Sequence, residues 1–269
     1  MKTWVVSIIA GIGLLSCSVN KQAGRSTGTA DTIKVLTYNI HHANPPSRKD
    51  YIDIDAIAAV INRVMPDVVA LQEVDVHTDR SGRQLHQAEA IAAKTGMQAY
   101  FTKSIDYGGG EYGIAVLSRY PILTGKSHAL PTAAGSGGEP RALCTTILQL
   151  PRGRKIMMAS THLDVQRNDS SRLMQIRAIK RIIEEAGIPA ILAGDFNASE
   201  NSATIRTLDS SFTRTCYSCA PTIPVENPKR AIDFIAFHPQ GGATVLQHQV
   251  IPERYASDHL PVMAVLVIK

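Results

Sequence analysis

Residues 190–197 read AILAGDFN, an apolar run that passes directly into an acid and an amide. A short apolar run bounded by a turn residue is typical of a buried strand, so we predict a strand over 190–193. Asp195 and Asn197 then stand just past the end of that strand. They could form an ordinary Asx-type turn, or they could be functional side chains that the strand delivers to a site.

The rest of the chain repeats this design, with apolar strands between amphipathic helices. Apolar residues recur at helical spacing over 53–65, for example, and Pro66 ends that pattern. We expect Asp169 to cap one helix and Gly96 to end another. The alternation favours one α/β domain of layered sheets and helices. The predicted strands are 34–40, 68–73, 112–118, 143–150, 155–160, 190–193, 231–237, 243–250 and 262–268, and the predicted helices are 53–65, 84–95 and 169–185.

Two glycine-rich stretches, 108–110 and 133–138, are predicted as loops. Loops are more mobile than the elements they connect, and they often carry functional residues. We interpret both stretches as candidate mobile rims of a cleft.

Polar side chains stand at or next to the ends of six predicted strands. Each one alone has a structural interpretation, such as a turn cap or a hydrogen-bonded core histidine. Together they indicate a ligand site, because the ends of neighbouring strands in an α/β sheet form one rim. The set consists of Asn39, Glu73, His162, Asp195, Asn197, Asp233, Asp258 and His259.

Three members of this set suit a hard divalent cation. Mg²⁺ prefers oxygen ligands, takes one or two carboxylates from a protein and keeps several waters. Glu73 and Asp258 can supply the carboxylates, and Asn39 can supply an amide oxygen or hold a water. We therefore predict a Mg²⁺ site, which Mn²⁺ or another divalent cation could also occupy.

The other members of the set, together with Arg141, suit a phosphate ester and an attacking water. Phosphate oxygens need N–H donors, and a water nucleophile needs an acceptor that orients it or removes its proton. A carboxylate commonly holds a catalytic imidazole in one tautomer, and Asp233 can do so for His259. The predicted phosphate donors are Arg141, His162 and His259, and the predicted water-binding residues are Asp195 and Asn197.

Seven motifs, in order over residues 34–269, resemble those of the Mg²⁺-dependent endonuclease/exonuclease/phosphatase superfamily of deoxyribonuclease-I-like proteins. The resemblance implies a four-layer α/β sandwich, in which two mixed β-sheets pack face to face with helices outside. It implies Glu73 as the principal metal ligand and Asp195 as the residue that activates the water, and the other roles follow the assignments above. The motifs are TYNI at 37–40, LQEV at 71–74, GIAVLSR at 113–119, THLD at 161–164, GDFN at 194–197, IDFI at 232–235 and SDH at 257–259.

The N-terminal residues read as an export signal followed by a tether. A lysine at position 2 precedes an apolar run over 4–15 that is too short to span a bilayer comfortably. The LLSC ending at 14–17 resembles a bacterial lipobox, which implies a lipidated Cys17; an ordinary secretory signal or a single anchor helix is the alternative. We predict a signal peptide over 1–16, a lipidated cysteine with a flexible tether over 17–32, and a catalytic domain over 33–269. The protein would then be exported and lipid-anchored in the bacterial cell envelope, in the periplasm or at the outer membrane.

The remaining cysteines do not indicate a zinc site, because no second Cys/His pair has matching spacing. Cys216 and Cys219 could form a disulfide in an exported protein, or they could be free thiols. Cys144 lies in a strand-like run and is expected in the core.

A formal net charge of +5 suits anionic substrates or acidic lipid head groups. Export argues against repair of chromosomal DNA, and scattered cations without interleaved aromatics argue against base stacking. We expect a phosphoric ester hydrolase, in which water attacks phosphorus in a small or lipid-linked phosphodiester or an organic phosphate. The alternatives are a secreted non-specific nuclease, with nucleic acid as substrate only, and an inactive lipoprotein that captures anions. No obligate protein partner is inferred.

Overall fold

The computed structural model describes residues 30–239 and 242–269, together with Met1 and Trp4. Cys17 and almost all of the predicted signal peptide and tether lie outside the described residues. Within the described ranges, no helix is long and apolar enough to cross a membrane.

Apolar runs in the sequence form twelve strands in the part of the chain that the structure describes. Most predicted strands are confirmed, and 243–250 and 262–268 have the predicted bounds. The strands are β1 (Asp31–Asn39), β2 (Val68–Val76), β3 (Gln98–Tyr107), β4 (Gly110–Ser118), β5 (Ile122–Leu130), β6 (Arg141–Gln149), β7 (Lys155–His162), β8 (Ala190–Asp195), β9 (Thr213–Arg214), β10 (Asp233–His238), β11 (Ala243–Val250) and β12 (Val262–Ile268).

The strands build two mixed six-stranded sheets. The order is β11-β12-β1-β2-β4-β3 in the first sheet and β5-β6-β7-β8-β10-β9 in the second. The pairs β1–β2 and β7–β8 are parallel, and the other neighbours are antiparallel. The two parallel pairs bring four strand ends to the same edge of the molecule, where the polar motifs lie.

The helices cover the outer faces of the two sheets. The three predicted helices are confirmed with bounds that differ by at most three residues, and a fourth, short helix follows β8. One apolar cluster fills the space between the sheets, and two further clusters join each sheet to its own helices. The predicted four-layer α/β sandwich is therefore confirmed. The helices are α1 (Ile54–Val64), α2 (Gln87–Thr95), α3 (Ser170–Ala186) and α4 (Ala203–Asp209).

The helix ends confirm the role of Gly96 and correct that of Asp169. Gly96 is left-handed, with φ +66°, and its N–H bonds back to Ala92. Asp169 precedes α3, but its side chain makes no capping hydrogen bond. It instead accepts a hydrogen bond of 2.7 Å from Nε of Arg172, because its backbone already has a helical conformation.

Three strands were not predicted. β3 and β5 are partly exposed and lack a continuous apolar run, and β9 has only two residues. The loop predicted over 108–110 is a tight hairpin turn of two residues, Gly108 and Gly109, because Gly110 already begins β4. A Cβ on Gly110 would lie 2.3 Å from the carbonyl oxygen of Val76. The turn is thus packed directly against the segment that ends β2.

The cysteines of the described region resolve the alternatives that the sequence left open. Cys216 and Cys219 form a disulfide. Cys144 is a free, buried thiol between the sheets, as expected, and burial raises its pKa to about 12.

Gly113 in the motif GIAVLSR offers a test of how tightly β3 and β4 pack. A Cβ at this position would lie 2.0 Å from the carbonyl oxygen of Thr102, which is backbone and cannot rotate away. We expect Gly113→Ala to lower the free energy of unfolding by ~2–3 kcal/mol in chemical denaturation, the upper part of the usual cost of overpacking. Gly153→Ala is the control, because a Cβ there meets nothing within 4 Å and only the left-handed backbone opposes it, at a cost of about 1 kcal/mol. An equal loss in both variants would contradict this account.

Candidate active site

The predicted polar residues gather at the edge where the two parallel strand pairs end. Asn39 ends β1 and pairs in register with Gln72, next to Glu73. In the second sheet, Asp195 at the end of β8 pairs with His162 on one side and Asp233 on the other. The segment 257–259 enters the same edge just before β12. Residues from both sheets therefore share one site.

Asp195 lies at the centre of this site and is almost fully buried. Its Oδ1 accepts a hydrogen bond of 2.8 Å from the backbone N–H of Asn197. Its Oδ2 accepts one of 3.2 Å from Nδ2 of Asn39, and it lies 3.5 Å from Nε2 of His162 and 3.7 Å from Nε2 of His259. One carboxylate is thus surrounded by nitrogen groups from both sheets.

Asn39 connects this carboxylate to the predicted metal ligand. Its Nδ2 also donates to Oε1 of Glu73 at 3.0 Å, while its Oδ1 accepts from the backbone N–H of His41 at 3.1 Å. Ser257 fixes the Asn39 backbone, because its hydroxyl donates to the carbonyl oxygen at 2.7 Å. Asn39 therefore orients Glu73. The amide oxygen of Asn39 keeps one lone pair that could bind a metal ion or a water.

Glu73 occupies a strained backbone position. It lies at a bulge in the pairing of β2 with β4, and its φ is +58°. A non-glycine residue in this conformation costs ~1–3 kcal/mol, and such strain clusters at functional sites. The bulge turns the Glu73 side chain towards Asn39, where it remains partly exposed.

The donor chemistry around Asn39 fits a divalent cation. Glu73 and Asp258 are both partly exposed, and Asp258 is linked to the same centre through Ser257, whose Oγ lies 3.4 Å from Asp258 Oδ1. Two carboxylates and an amide oxygen are the hard oxygen ligands that Mg²⁺ and similar ions prefer. The three residues predicted for the metal are therefore brought to one corner of the site.

A second acidic group is a weaker place for a cation. Among the described residues, Asp195, Asp233 and His259 have ligand atoms within 4.8 Å of one another. However, Nδ1 of His259 pairs with Oδ2 of Asp233 at 2.9 Å. Burial alone would lower the pKa of His259, but the Asp233 hydrogen bond and nearby carboxylates raise it to about 10. A protonated imidazole has no lone pair for a metal, so this group is a hydrogen-bonded charge cluster.

His162 and Arg141 form the anion-facing part of the site. Nη1 of Arg141 lies 3.4 Å from Nδ1 of His162, so Nδ1 accepts and the ring proton belongs on Nε2, facing Asp195. Burial and the neighbouring cations Arg141 and His259 hold the pKa of His162 well below its usual value. Arg141 is buried, and its Nε has no hydrogen-bond partner among the described residues. A buried cation with a free donor suits an anionic ligand.

The remaining predicted residues also lie in the site, and one residue was missed. Asn197 is held by its Nδ2, which donates to the carbonyl oxygen of Leu163 at 3.0 Å. Burial and the charge of Glu73 raise the pKa of the Tyr112 hydroxyl, whereas the charge of Arg141 lowers it. Tyr112 is therefore near both the predicted metal ligand Glu73 and the anion-facing Arg141. It directly precedes the motif GIAVLSR, and that position was the available sequence signal.

Burial and the nearby Asp233 carboxylate raise the pKa of Asp195 to about 7, against the opposing charge of His259. The central carboxylate is therefore a better proton acceptor than an exposed aspartate. Asn197 and Asn39 keep it oriented by their hydrogen bonds.

A two-sheet sandwich with this cluster at its strand ends is a fold of the phosphoesterase and nuclease type. The model of the Endonuclease/Exonuclease/phosphatase family matches residues 36–259, and the chain belongs to that family. Members of the family are hydrolases that typically use divalent cations.

The chain is also similar to individual proteins along most of its length. It is 27% identical to the uncharacterised protein YbhP of Escherichia coli K12 over 248 residues, 87% of this chain and 95% of that protein. An endonuclease/exonuclease/phosphatase of Beutenbergia cavernae has a TM-score of 0.76 and 25% identity, over 88% of this chain and 72% of that one. The mannosyl-6-phosphatase of Bacteroides thetaiotaomicron shares the fold, with a TM-score of 0.73 and 20% identity over 88% and 100% of the two chains.

The two buried histidines should hold their protons very differently. In protein stripped of divalent cations by a chelator, we expect the His259 ring to stay protonated at neutral pH and the His162 ring to stay neutral. Because folding raises the pKa of His259 from about 6.5, its contribution to stability is present below that pH. That contribution is lost as the pH rises through about 10.

Ring ¹⁵N chemical shifts measured against pH would check this prediction, and His259→Gln and His162→Gln would assign the signals. A neutral His259 ring at pH 7 in the chelated protein would contradict the charge cluster.

Proposed function

We propose that this protein is a Mg²⁺-dependent phosphoric ester hydrolase in which water attacks phosphorus. The observation that carries the proposal is the Asp195 carboxylate, buried among histidines and held 3.2 Å from the same Asn39 amide that holds Glu73. In this proposal, a proton acceptor, hydrogen-bond donors for an anion and oxygen ligands for a cation share one site. Each of these groups has a use in phosphate ester hydrolysis.

Asp195 accepts the proton of the attacking water, and Asn197 helps to position that water. His162, through Nε2–H, and protonated His259 donate to phosphoryl oxygens, together with Arg141. Asp233 keeps His259 protonated and oriented through their 2.9 Å hydrogen bond. When bound at Glu73, Asp258 and Asn39, a divalent cation would polarise the phosphoryl group and offset charge on the leaving oxygen.

The proposed substrate is an organic phosphate or a small or lipid-linked phosphodiester. A structural relative is named a mannosyl-6-phosphatase, which supports a small organic phosphate. The net charge of +5 would also favour binding of nucleic acid. A non-specific nuclease is therefore the alternative function, and the test below distinguishes it.

Hydrolysis of nitrophenyl phosphate and bis(nitrophenyl) phosphate, with Mg²⁺ or EDTA, tests the chemistry directly. We expect turnover with Mg²⁺ and loss of turnover with EDTA. Release from the diester alone would indicate a phosphodiesterase, and nicking of plasmid DNA would indicate a nuclease. No turnover of these substrates or of phospholipid would favour the inactive anion-binding lipoprotein.

Glu73→Gln tests the role of the metal-facing carboxylate. We expect at least a ~100-fold loss of kcat, because the amide removes a charged oxygen ligand. The circular dichroism spectrum and the unfolding midpoint should change little, because Glu73 is partly exposed. Glu185→Gln makes the same charge change on an exposed face of α3 and should keep full activity. Unfolding of the Glu73 variant would show a structural role instead.

We also propose that the catalytic domain, residues 33–269, is exported and held at the cell envelope by a lipid on Cys17. The lipobox-like LLSC sequence at 14–17 supports this proposal. Membrane fractions of cells expressing the full chain should contain the protein, and Cys17→Ser should move it to the soluble envelope fraction. Equal membrane retention of both forms would contradict lipid anchoring.

A further inference from the structure

We infer that a cavity beside the candidate active site binds an uncharged, hydroxyl-rich group of the substrate, such as a sugar ring or another cyclic polyol. This inference rests on the proposed function, because it concerns the organic part of the same phosphate ester. The cavity has a volume of about 130 Å³ and is lined by Arg80, Ile105, Tyr107, Tyr112 and Glu139.

The cavity adjoins the residues assigned to the phosphate. Oε2 of Glu139 lies 3.4 Å from Nη2 of Arg141. The opposite wall, Tyr112, is close enough to Glu73 and Arg141 for both charges to act on its hydroxyl. A phosphate held by Arg141 would therefore have its organic substituent within reach of the cavity.

Aromatic rings and a guanidinium form one wall. The Arg80 guanidinium carbon lies 4.3 Å from the ring centroid of Tyr107 and 5.5 Å from that of Tyr112. The two tyrosine rings are 6.2 Å apart, and Tyr107 is 42% exposed. Arg80 covers one face of Tyr107, and the part of the ring that stays exposed can pack against the C–H groups of a sugar ring, because its negative potential attracts their positive hydrogens.

The polar groups of the cavity favour hydroxyls over charges. Arg80 donates through Nε and Nη2 to the buried Asp75, at 2.7 and 2.9 Å, and its Nη1 has no hydrogen-bond partner among the described residues. Glu139 supplies an acceptor that is half-exposed. Hydroxyl groups can use both the donor and the acceptor. A second phosphate would be repelled by Glu139. An acyl chain would remove water from Arg80 and Glu139 without offering them hydrogen bonds in return.

The size of the cavity also limits the ligand. Pockets for drug-sized ligands span about 300–1,000 Å³, so a cavity of about 130 Å³ takes a single ring. An oligonucleotide or a phospholipid tail would need a longer groove.

The wall that carries Arg80 is held rigidly in place. Asp75 accepts hydrogen bonds from the hydroxyls of Thr78 and Ser81 as well as from Arg80. Gln87 of α2 accepts from the Asp75 N–H at 2.9 Å and donates to the carbonyl oxygen of His42 at 2.7 Å, next to the turn that follows Asn39. A preorganised wall loses less entropy when a ligand binds.

Tyr107→Ala tests this inference, and Tyr217→Ala is the matched control. Tyr217 is also an exposed tyrosine under an arginine, with Arg214 4.9 Å from its ring centroid, but it lies outside the cavity. The readout is kcat/KM for a hexose 6-phosphate and for ethyl phosphate, which has the same charge and no ring.

We expect the unmodified protein to prefer the hexose phosphate by about tenfold or more, and Tyr107→Ala to remove most of that preference. The rate on ethyl phosphate should not change, and Tyr217→Ala should match the unmodified protein. Equal rates on both substrates would overturn the inference while leaving phosphate ester hydrolysis intact. A preference for a nucleoside monophosphate, a sugar bisphosphate or a phospholipid would overturn the ligand class.

A binding measurement separates this inference from the proposed function. Calorimetry with Asp195→Asn, with and without Tyr107→Ala, compares the affinities for hexose 6-phosphate and ethyl phosphate without turnover. We expect about tenfold tighter binding of the hexose phosphate, lost in Tyr107→Ala. A retained affinity difference in a protein that hydrolyses no ester would contradict the proposed function alone. Equal affinities would overturn the cavity assignment.

Discussion

The amide of Asn39 is the contact on which the geometry of the site depends. It donates to Glu73 in its own sheet and to Asp195 in the opposite sheet. Behind it, Gln72 donates to the hydroxyl of Ser160 across the same interface at 3.2 Å. Apolar packing between sheets has no strong direction, whereas these buried hydrogen bonds do, and each unsatisfied donor would cost ~1–3 kcal/mol. The two halves of the site, which belong to different sheets, are thereby fixed relative to each other.

The site buries several charged side chains, which is unfavourable for folding unless the charges are paired. Asp195 and Asp233 are both buried, and their repulsion is offset by the protonated His259 between them. Arg141 adds a buried cation whose nearest acid, Glu139, lies at the rim. Buried ionic groups rarely add stability when compared with apolar residues of similar size. Their presence at the strand ends is therefore better explained by chemistry than by folding.

The sequence was sufficient to predict the strands and helices whose buried apolar residues are continuous or regularly spaced. The strand over 262–268 and the three longer helices carry continuous or regularly spaced apolar residues, and all four were predicted. The seven-residue helix α4 was not predicted. Strands β3 and β5 were missed because each is partly exposed and depends on a neighbour for its pairing. The strand-end residues were predicted to meet, because parallel strands end at one edge. The Arg80–Tyr107 wall could not be predicted, since Arg80 lies in the loop after β2 and Tyr107 ends β3, and the two meet only after the chain has folded.

Asp75 holds the Arg80–Tyr107 wall of the cavity independently of the strand ends that carry the candidate active site. Evolution can therefore change that wall without changing the site. The side chains of the candidate active site stand on strand ends that are fixed by the sheets. Arg80 and Tyr107 instead stand on a loop and a hairpin that are attached at Asp75 and Gly110. Substitutions in that loop and hairpin would alter the shape of the cavity without moving Asp195. Relatives with the same reaction centre could thus accept different organic groups through a few substitutions at the rim of the cavity.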